Sequence, residues 1–172
     1  YAQDANPIMS LFAEEGIRAL AQGLPKIVSS PGDIAARSKC LYGAWLCGAV
    51  LGNVGMALQH KLCHTLGGTY NLPHAETHTV VLPHALAYNA PAVPEAIDRI
   101  ARALGVGDAA RGMFDLAASL GAPTALKDIG MPEGQLDWCA EIATQNAYAN
   151  PRPIEKAAIR ALLEDAYHGK RP

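Results

Sequence analysis

Helix caps and chain breakers recur along this sequence at intervals that leave room for about one helix each. That punctuation constrains the fold more than any other feature. Asn6-Pro7 opens a first helix, since Asn caps and Pro at the first helical position loses no useful N–H. Ile8, Leu11, Phe12, Ile17, Leu20 and Leu24 continue with helical period to a predicted break at Gly23/Pro25. Ser29-Ser30-Pro31-Gly32-Asp33 reads as a turn, with Asp33 capping a helix that carries Ile34, Cys40, Leu41, Trp45 and Leu46. The run from Leu41 through Gly43, Gly48, Gly52 and Gly55 is rich in small residues. Each Gly costs about 1 kcal/mol against Ala inside a helix, so the run predicts close helix approach in a central, heavily buried pair. Leu66-Gly67-Gly68 is read as the end of a third helix and Asn71-Leu72-Pro73 as the entry to a fourth. Ala90-Pro91-Ala92-Val93-Pro94 is read as a stiff linker. Further helices are expected over 94–104, 109–120, 132–146 and 154–168, the last after the rigid connector Asn150-Pro151-Arg152-Pro153. The expected class is all-α, a bundle of seven or eight helices.

Composition agrees and narrows the function. Of 172 residues, 50% are hydrophobic but only 6% aromatic, which suits one Ala- and Leu-rich helical domain. A formal charge of −2 gives no basic footprint, so nucleic acid is not an expected partner. The four cysteines, Cys40, Cys47, Cys63 and Cys139, lack a C-x-x-C and are expected to be reduced, buried thiols of a cytoplasmic protein. No apolar run reaches the ~18 residues of a membrane span and no signal peptide is visible, so no membrane is expected as a partner. The chain starts at Tyr1 without Met, which is read as a piece cut from a longer protein.

The chemistry concentrates in 55–89, which holds five of the six histidines: His60, His64, His74, His78 and His84. His60 and His64 stand four apart and share a helix face, as do His74 and His78. A helix end and a helix start thereby aim imidazoles into one cleft, which suits a metal, a bound anion or a proton relay. A lone histidine in an apolar helix is ordinarily a packed or surface residue, and His84, after Pro83, fits that plainer description. His60-Lys-Leu-Cys-His64 is not a zinc-peptidase motif, because no Glu follows the first histidine.

The ordered series His60-Lys-Leu-Cys-His64-Thr-Leu66-Gly67, Tyr70-Asn71-Leu72-Pro73-His74, Leu82-Pro83-His84 and Tyr88-Asn89 resembles the iron-dependent alcohol dehydrogenase superfamily, which shares its fold with dehydroquinate synthase. The resemblance covers essentially the whole chain and implies the C-terminal, all-helical domain of a two-domain enzyme. The segments 58–68 and 72–78, with Asn150-Pro151-Arg152-Pro153-Ile154-Glu155, resemble the maleylacetate reductase branch. Lys61 and Ala75 stand where general alcohol dehydrogenases tend to have Gly.

The resemblance implies an N-terminal nucleotide-binding α/β domain as partner, NADH or NADPH as cofactor, and a homodimer. It implies that His60 and His74 are metal ligands where iron or zinc is bound, completed by an Asp and a His outside this chain, and that His64 lies beside the nicotinamide and substrate. In the maleylacetate reductase branch a metal is not required by the resemblance, and His60, His64 and His74 then act as proton donors or anion ligands. The implied reaction is reduction of the C=C of maleylacetate, a small dicarboxylate, to 3-oxoadipate in aromatic-compound degradation. His64 is the expected proton-handling residue, with His60 and His74 polarising the oxygen. Lys61 and His78 are the expected substrate contacts, with Arg152 a more distant candidate; Lys61 lies about 100° round the helix from His60, so a water-facing reading stands beside that one. Two alternatives remain: a metal-dependent alcohol dehydrogenase of the same superfamily, and a non-catalytic helical metal-binding module. Without a phosphate-binding loop on a strand-to-helix turn, the segment alone is expected to be inactive.

Overall fold

A computed structural model of the chain describes residues 1–146 and 148–172. Among them the regular structure is entirely helical, in eight α-helices and two 3₁₀ turns. In order these are α1 (Pro7–Ser29), α2 (Ile34–Leu51), α3 (Leu58–Tyr70), α4 (His74–Asn89), α5 (Pro94–Leu104), α6 (Ala109–Ser119), α7 (Leu136–Thr144) and α8 (Lys156–His168). The 3₁₀ turns cover Ala90–Ala92 and Leu126–Ile129. The all-α expectation therefore holds.

Local chemistry sets the starts. Asn6 accepts from the Met9 N–H at 3.0 Å, Asp33 from Ala36 and Asp108 from Arg111, each satisfying an orphan donor of a first turn. Three boundaries differ from expectation. Pro25 lies inside α1, because four further residues after it remain helical. Gly67 and Gly68 also stay helical; α3 ends only at Asn71, whose φ of 52° is the left-handed cap that Asn tolerates. The seventh helix begins at Leu136 rather than 132, after a turn through Gly134 at φ 80°.

The core forms around α3 and α4. Leu58, Leu62 and Leu66 recur every fourth residue and are essentially inaccessible, as are Val80, Val81 and Ala85 of α4. Leu126, Cys139, Ala140, Ala143, Ile159 and Leu163, from the second 3₁₀ turn, α7 and α8, close the same cluster. At about 25 cal/mol per Å² of apolar surface removed from water, such side chains contribute about 1.5–3 kcal/mol each.

The helix pair expected to be central is instead peripheral. α1 and α2 pack tightly on one side, but Ile34, Leu41 and Trp45 are 73%, 72% and 64% exposed. The close approach is made at Gly16, Gly23 and Gly43, not at Gly48 or Gly52. A Cβ on Gly43 would stand 2.9 Å from the Gly16 carbonyl oxygen and 2.9 Å from Leu20 Cγ, whereas one on Gly48 would meet nothing within 4 Å.

α3 has no side-chain cap of its own at Ala57. Asn150, from the connector before α8, supplies one: its Oδ1 accepts from the Leu58 N–H at 3.3 Å and from Asn89 Nδ2 at 3.1 Å. Its Nδ2 donates to Asn89 Oδ1 at 2.8 Å and to the Arg152 carbonyl at 2.7 Å.

Two predictions follow from this packing, both read by urea unfolding at constant slope. Gly43→Ala lowers the unfolding free energy by about 1–3 kcal/mol through overpacking, while Gly48→Ala is neutral or stabilising by up to about 1 kcal/mol. Equal effects at the two positions would contradict the close approach assigned to Gly43. Asn150→Ala, which strands the fully buried Asn89 amide, costs about 1–3 kcal/mol, and an unchanged midpoint would remove that clamp from the fold.

Candidate active site

The leucine stripe that fixes α3 in the core also aims its histidines. His60 and His64 each follow a buried leucine by two residues, about 200° round the helix, so they leave the core on the opposite face. The three-residue link Asn71-Leu72-Pro73, with Leu72 buried, returns α4 antiparallel beside α3. In that register His60 meets His78, with ring centres 5.0 Å apart, and His64 meets His74 at 6.4 Å. Along the helices His60 and His64 lie 6.3 Å apart, and His74 and His78 4.3 Å. Four imidazoles thus close a ring of contacts. His64 and His74 are exposed, while His60 and His78 are half-buried.

His78, one of the expected substrate contacts, belongs fully to this cluster. Its Nδ1 lies 3.0 Å from Gln59 Nε2, and its Nε2 is inaccessible with no hydrogen-bond partner among the described residues. Burial, then the neighbouring His74, His60 and His64, push its pKa down to about 4. Burial and the charges of His64 and His74 lower that of His60 as well. Both are therefore neutral at pH 7. Cys63, behind the cluster, is buried and its thiol is pushed up to about 12, so it is a packing residue and not a nucleophile.

Lys61 is not in open water. At about 300° from Leu58 it flanks the core stripe, half-buried, with Nζ 5.6 Å from the centre of the Tyr148 ring. Arg152 is committed elsewhere: its guanidinium stacks 4.2 Å over the Tyr88 ring and donates to the Tyr88 carbonyl at 3.0 Å. Tyr88 in turn donates to the Pro153 carbonyl at 2.5 Å. Tyr88-Asn89 is accordingly a structural lock. His84 is 4% exposed, sits edge-on to Phe114 and has an unpartnered Nε2, which agrees with its plainer reading as a packed residue.

An apolar cavity of about 490 Å³ opens beside the cluster, lined by Cys47, Leu51, Met56, Gln59, His60 and Leu86 among others. Gln59 was not singled out from sequence. It sits 100° from His60 on the helix, and only the α3–α4 register brings it to His78.

Imidazole nitrogen suits iron and zinc, yet among the described residues no group of three His, Cys, Asp or Glu side chains converges as a metal set would. His60 and His74 make an incomplete pair, and the residues present do not by themselves hold a metal.

Fold and site together define a helical domain that presents an imidazole-walled cleft, one of the arrangements used to handle protons or anions in small-molecule enzymes. The C-terminal domain of the Fe-containing alcohol dehydrogenase family matches residues 1–167, and the chain belongs to that family. It is 59% identical, over all its 172 residues, to a maleylacetate reductase of Burkholderia cepacia, of which it covers 49%. It is similar to a crystal structure of maleylacetate reductase from Agrobacterium tumefaciens, with TM-score 0.97 and 56% identity over all of this chain and 49% of that one. It is also similar to a Ralstonia eutropha JMP134 protein provisionally called an alcohol dehydrogenase, with TM-score 0.99 and 68% identity over 100% and 49% of the two chains. The chain spans about half the length of the curated relatives it matches.

The burial of His84 makes stability depend on pH. Burial pushes its pKa down to about 4, below the unfolded value of about 6.5, so the unfolded chain binds more protons between those values. The stability held at neutral pH is lost as pH falls through that window. His84→Gln removes up to about one proton from the slope of unfolding free energy against pH between 4 and 6.5. An unchanged slope would show that His84 takes up its proton alike in the folded and unfolded chain, so that the fold does not hold it neutral.

Proposed function

We propose that this chain is the helical, substrate-handling half of a cytoplasmic, NAD(P)H-dependent maleylacetate reductase, completed by a nucleotide-binding domain and acting as a homodimer. The observation that carries this reading is the four-imidazole wall, taken with relatives at 59% identity that are maleylacetate reductases.

Maleylacetate carries a C=C conjugated to a ketone. A nicotinamide bound by the partner domain would supply hydride to the alkene carbon β to that ketone, so that the C=C π bond breaks and its electron pair moves toward the ketone oxygen as an enolate. One proton added at the α-carbon then gives 3-oxoadipate. The histidine face supplies two needs of that sequence. Hydrogen-bond donors from His60 and His74 stabilise charge on the oxygen as it develops. His64, at the open edge of the ring, exchanges a proton with the reacting centre and with water. Lys61 balances one substrate carboxylate, with its stem held against Tyr148. The apolar cavity beside His60 keeps the reacting carbons from bulk water. A metal is not needed for any of these steps.

The test is steady-state reduction of maleylacetate by NADH in the complete enzyme, with and without prior chelation. We expect turnover that survives the chelator, and a fall in kcat of about 10²–10⁴-fold in His64→Ala. Loss on chelation with recovery in iron or zinc would make His60 and His74 ligands. Turnover of simple alcohols but not of maleylacetate would replace this reading with the alcohol dehydrogenase one.

A further inference from the structure

The hydrogen bonds around Gln59 fix a proton that the ring contacts alone leave undetermined. Gln59 Nε2 faces three groups: His78 Nδ1 at 3.0 Å, the His78 carbonyl oxygen at 3.4 Å and Cys63 Sγ at 3.5 Å. A carbonyl oxygen only accepts, so the side of the amide turned to it must be the NH₂. Nδ1 on the same side therefore accepts, and a neutral imidazole that accepts at Nδ1 carries its hydrogen on Nε2.

That Nε2–H is inaccessible and has no partner among the described residues. An unmade hydrogen bond from a buried donor is costly, so an acceptor belongs there. The imidazoles packed on the His78 ring are His74, 4.3 Å centre to centre, and His60, at 5.0 Å. His74 is exposed, and the terminal torsion of an imidazole has a broad, roughly two-fold preference. A neutral imidazole that accepts on one nitrogen bears its hydrogen on the other.

We propose that Gln59 is a positioning residue: its amide locks His78 as the Nε2–H tautomer, and that donor sets His74 to turn an N–H, not a lone pair, toward an anionic oxygen in the cleft. The same polarity leaves His74 without the free lone pair that a divalent cation would require. The substrate part of this inference rests on the maleylacetate reading; the tautomer part does not.

The test begins with the complete enzyme carrying ¹⁵N-labelled histidine and no substrate. Long-range ¹H–¹⁵N correlation reports which ring nitrogen bears hydrogen, with His78 assigned by its loss in His78→Asn. Hydrogen on Nε2 is the expected result; hydrogen on Nδ1 overturns the proposal. Gln59→Glu puts an acceptor where the donor stood and is expected to move the hydrogen to Nδ1, with kcat for maleylacetate falling about 10- to 100-fold and KM moving less. Gln59→Met, close in size but unable to donate, is expected to leave a mixture of tautomers and an intermediate kcat. A switched tautomer with unchanged kcat would overturn the link to the cleft. A wild-type enzyme that keeps hydrogen on Nε2 but does not reduce maleylacetate would overturn the substrate reading and support the lock.

Discussion

The paired amides of Asn89 and Asn150 hold together everything the site is built on. Asn89 is fully buried at the end of α4, where an unpaired amide would be costly, and Asn150 answers both its donor and its acceptor. The same Asn150 oxygen receives the first N–H of α3, ninety-two residues earlier in the chain. One side chain therefore ties the start of α3, the end of α4 and the connector into α8. Tyr88 and Arg152 brace the same junction from either side. The axial position of α3 is set there, and with it the height of His60 relative to His78. A shift of one residue along α3 would rotate its histidines by about 100° and move the leucine stripe out of the core.

Helical class, helix count and the histidine cleft were legible in the sequence because each rests on local chemistry. Caps at Asn6 and Asp33 and the i, i+4 spacing of two histidine pairs act within a turn or two. What was not legible depends on which helix lies against which. Pro25 reads as a stop locally, yet α1 continues because α2 covers its inner face. The glycines of α2 look alike in the sequence, and only the crossing with α1 separates Gly43, which must be small, from Gly48, which need not be. Arg152 looks like a spare cation until Tyr88 is placed beneath it.

Gln59 belongs to the same category and matters more. Nothing in its type or spacing marks it, since a polar residue in the first turn of a helix is ordinary. Its role exists only because the Asn71-Leu72-Pro73 link returns α4 in a register that brings residue 78 beside residue 59. Functional chemistry that depends on a single cross-helix contact of this kind escapes periodicity arguments, while a shared face such as that of His60 and His64 does not.

The neutrality of the inner imidazoles connects stability with chemistry. Charging His60 or His78 in the free protein is opposed by burial and by the neighbouring rings, so at pH 7 these two add no self-repulsion to the fold. A dianionic ligand changes that balance, because a carboxylate or enolate at hydrogen-bond distance favours the protonated ring or the N–H tautomer facing it. In the proposed reaction the cluster would then give its strongest interaction when negative charge is largest, which is after hydride addition and not before. Interactions that strengthen along the reaction lower the barrier, whereas a permanently charged site would bind substrate and product as firmly as the transition state. The tight packing of α3 against α4 thus serves both ends of that proposal: it opposes charge on His60 and His78 at rest and holds them where the proposed reaction would develop charge.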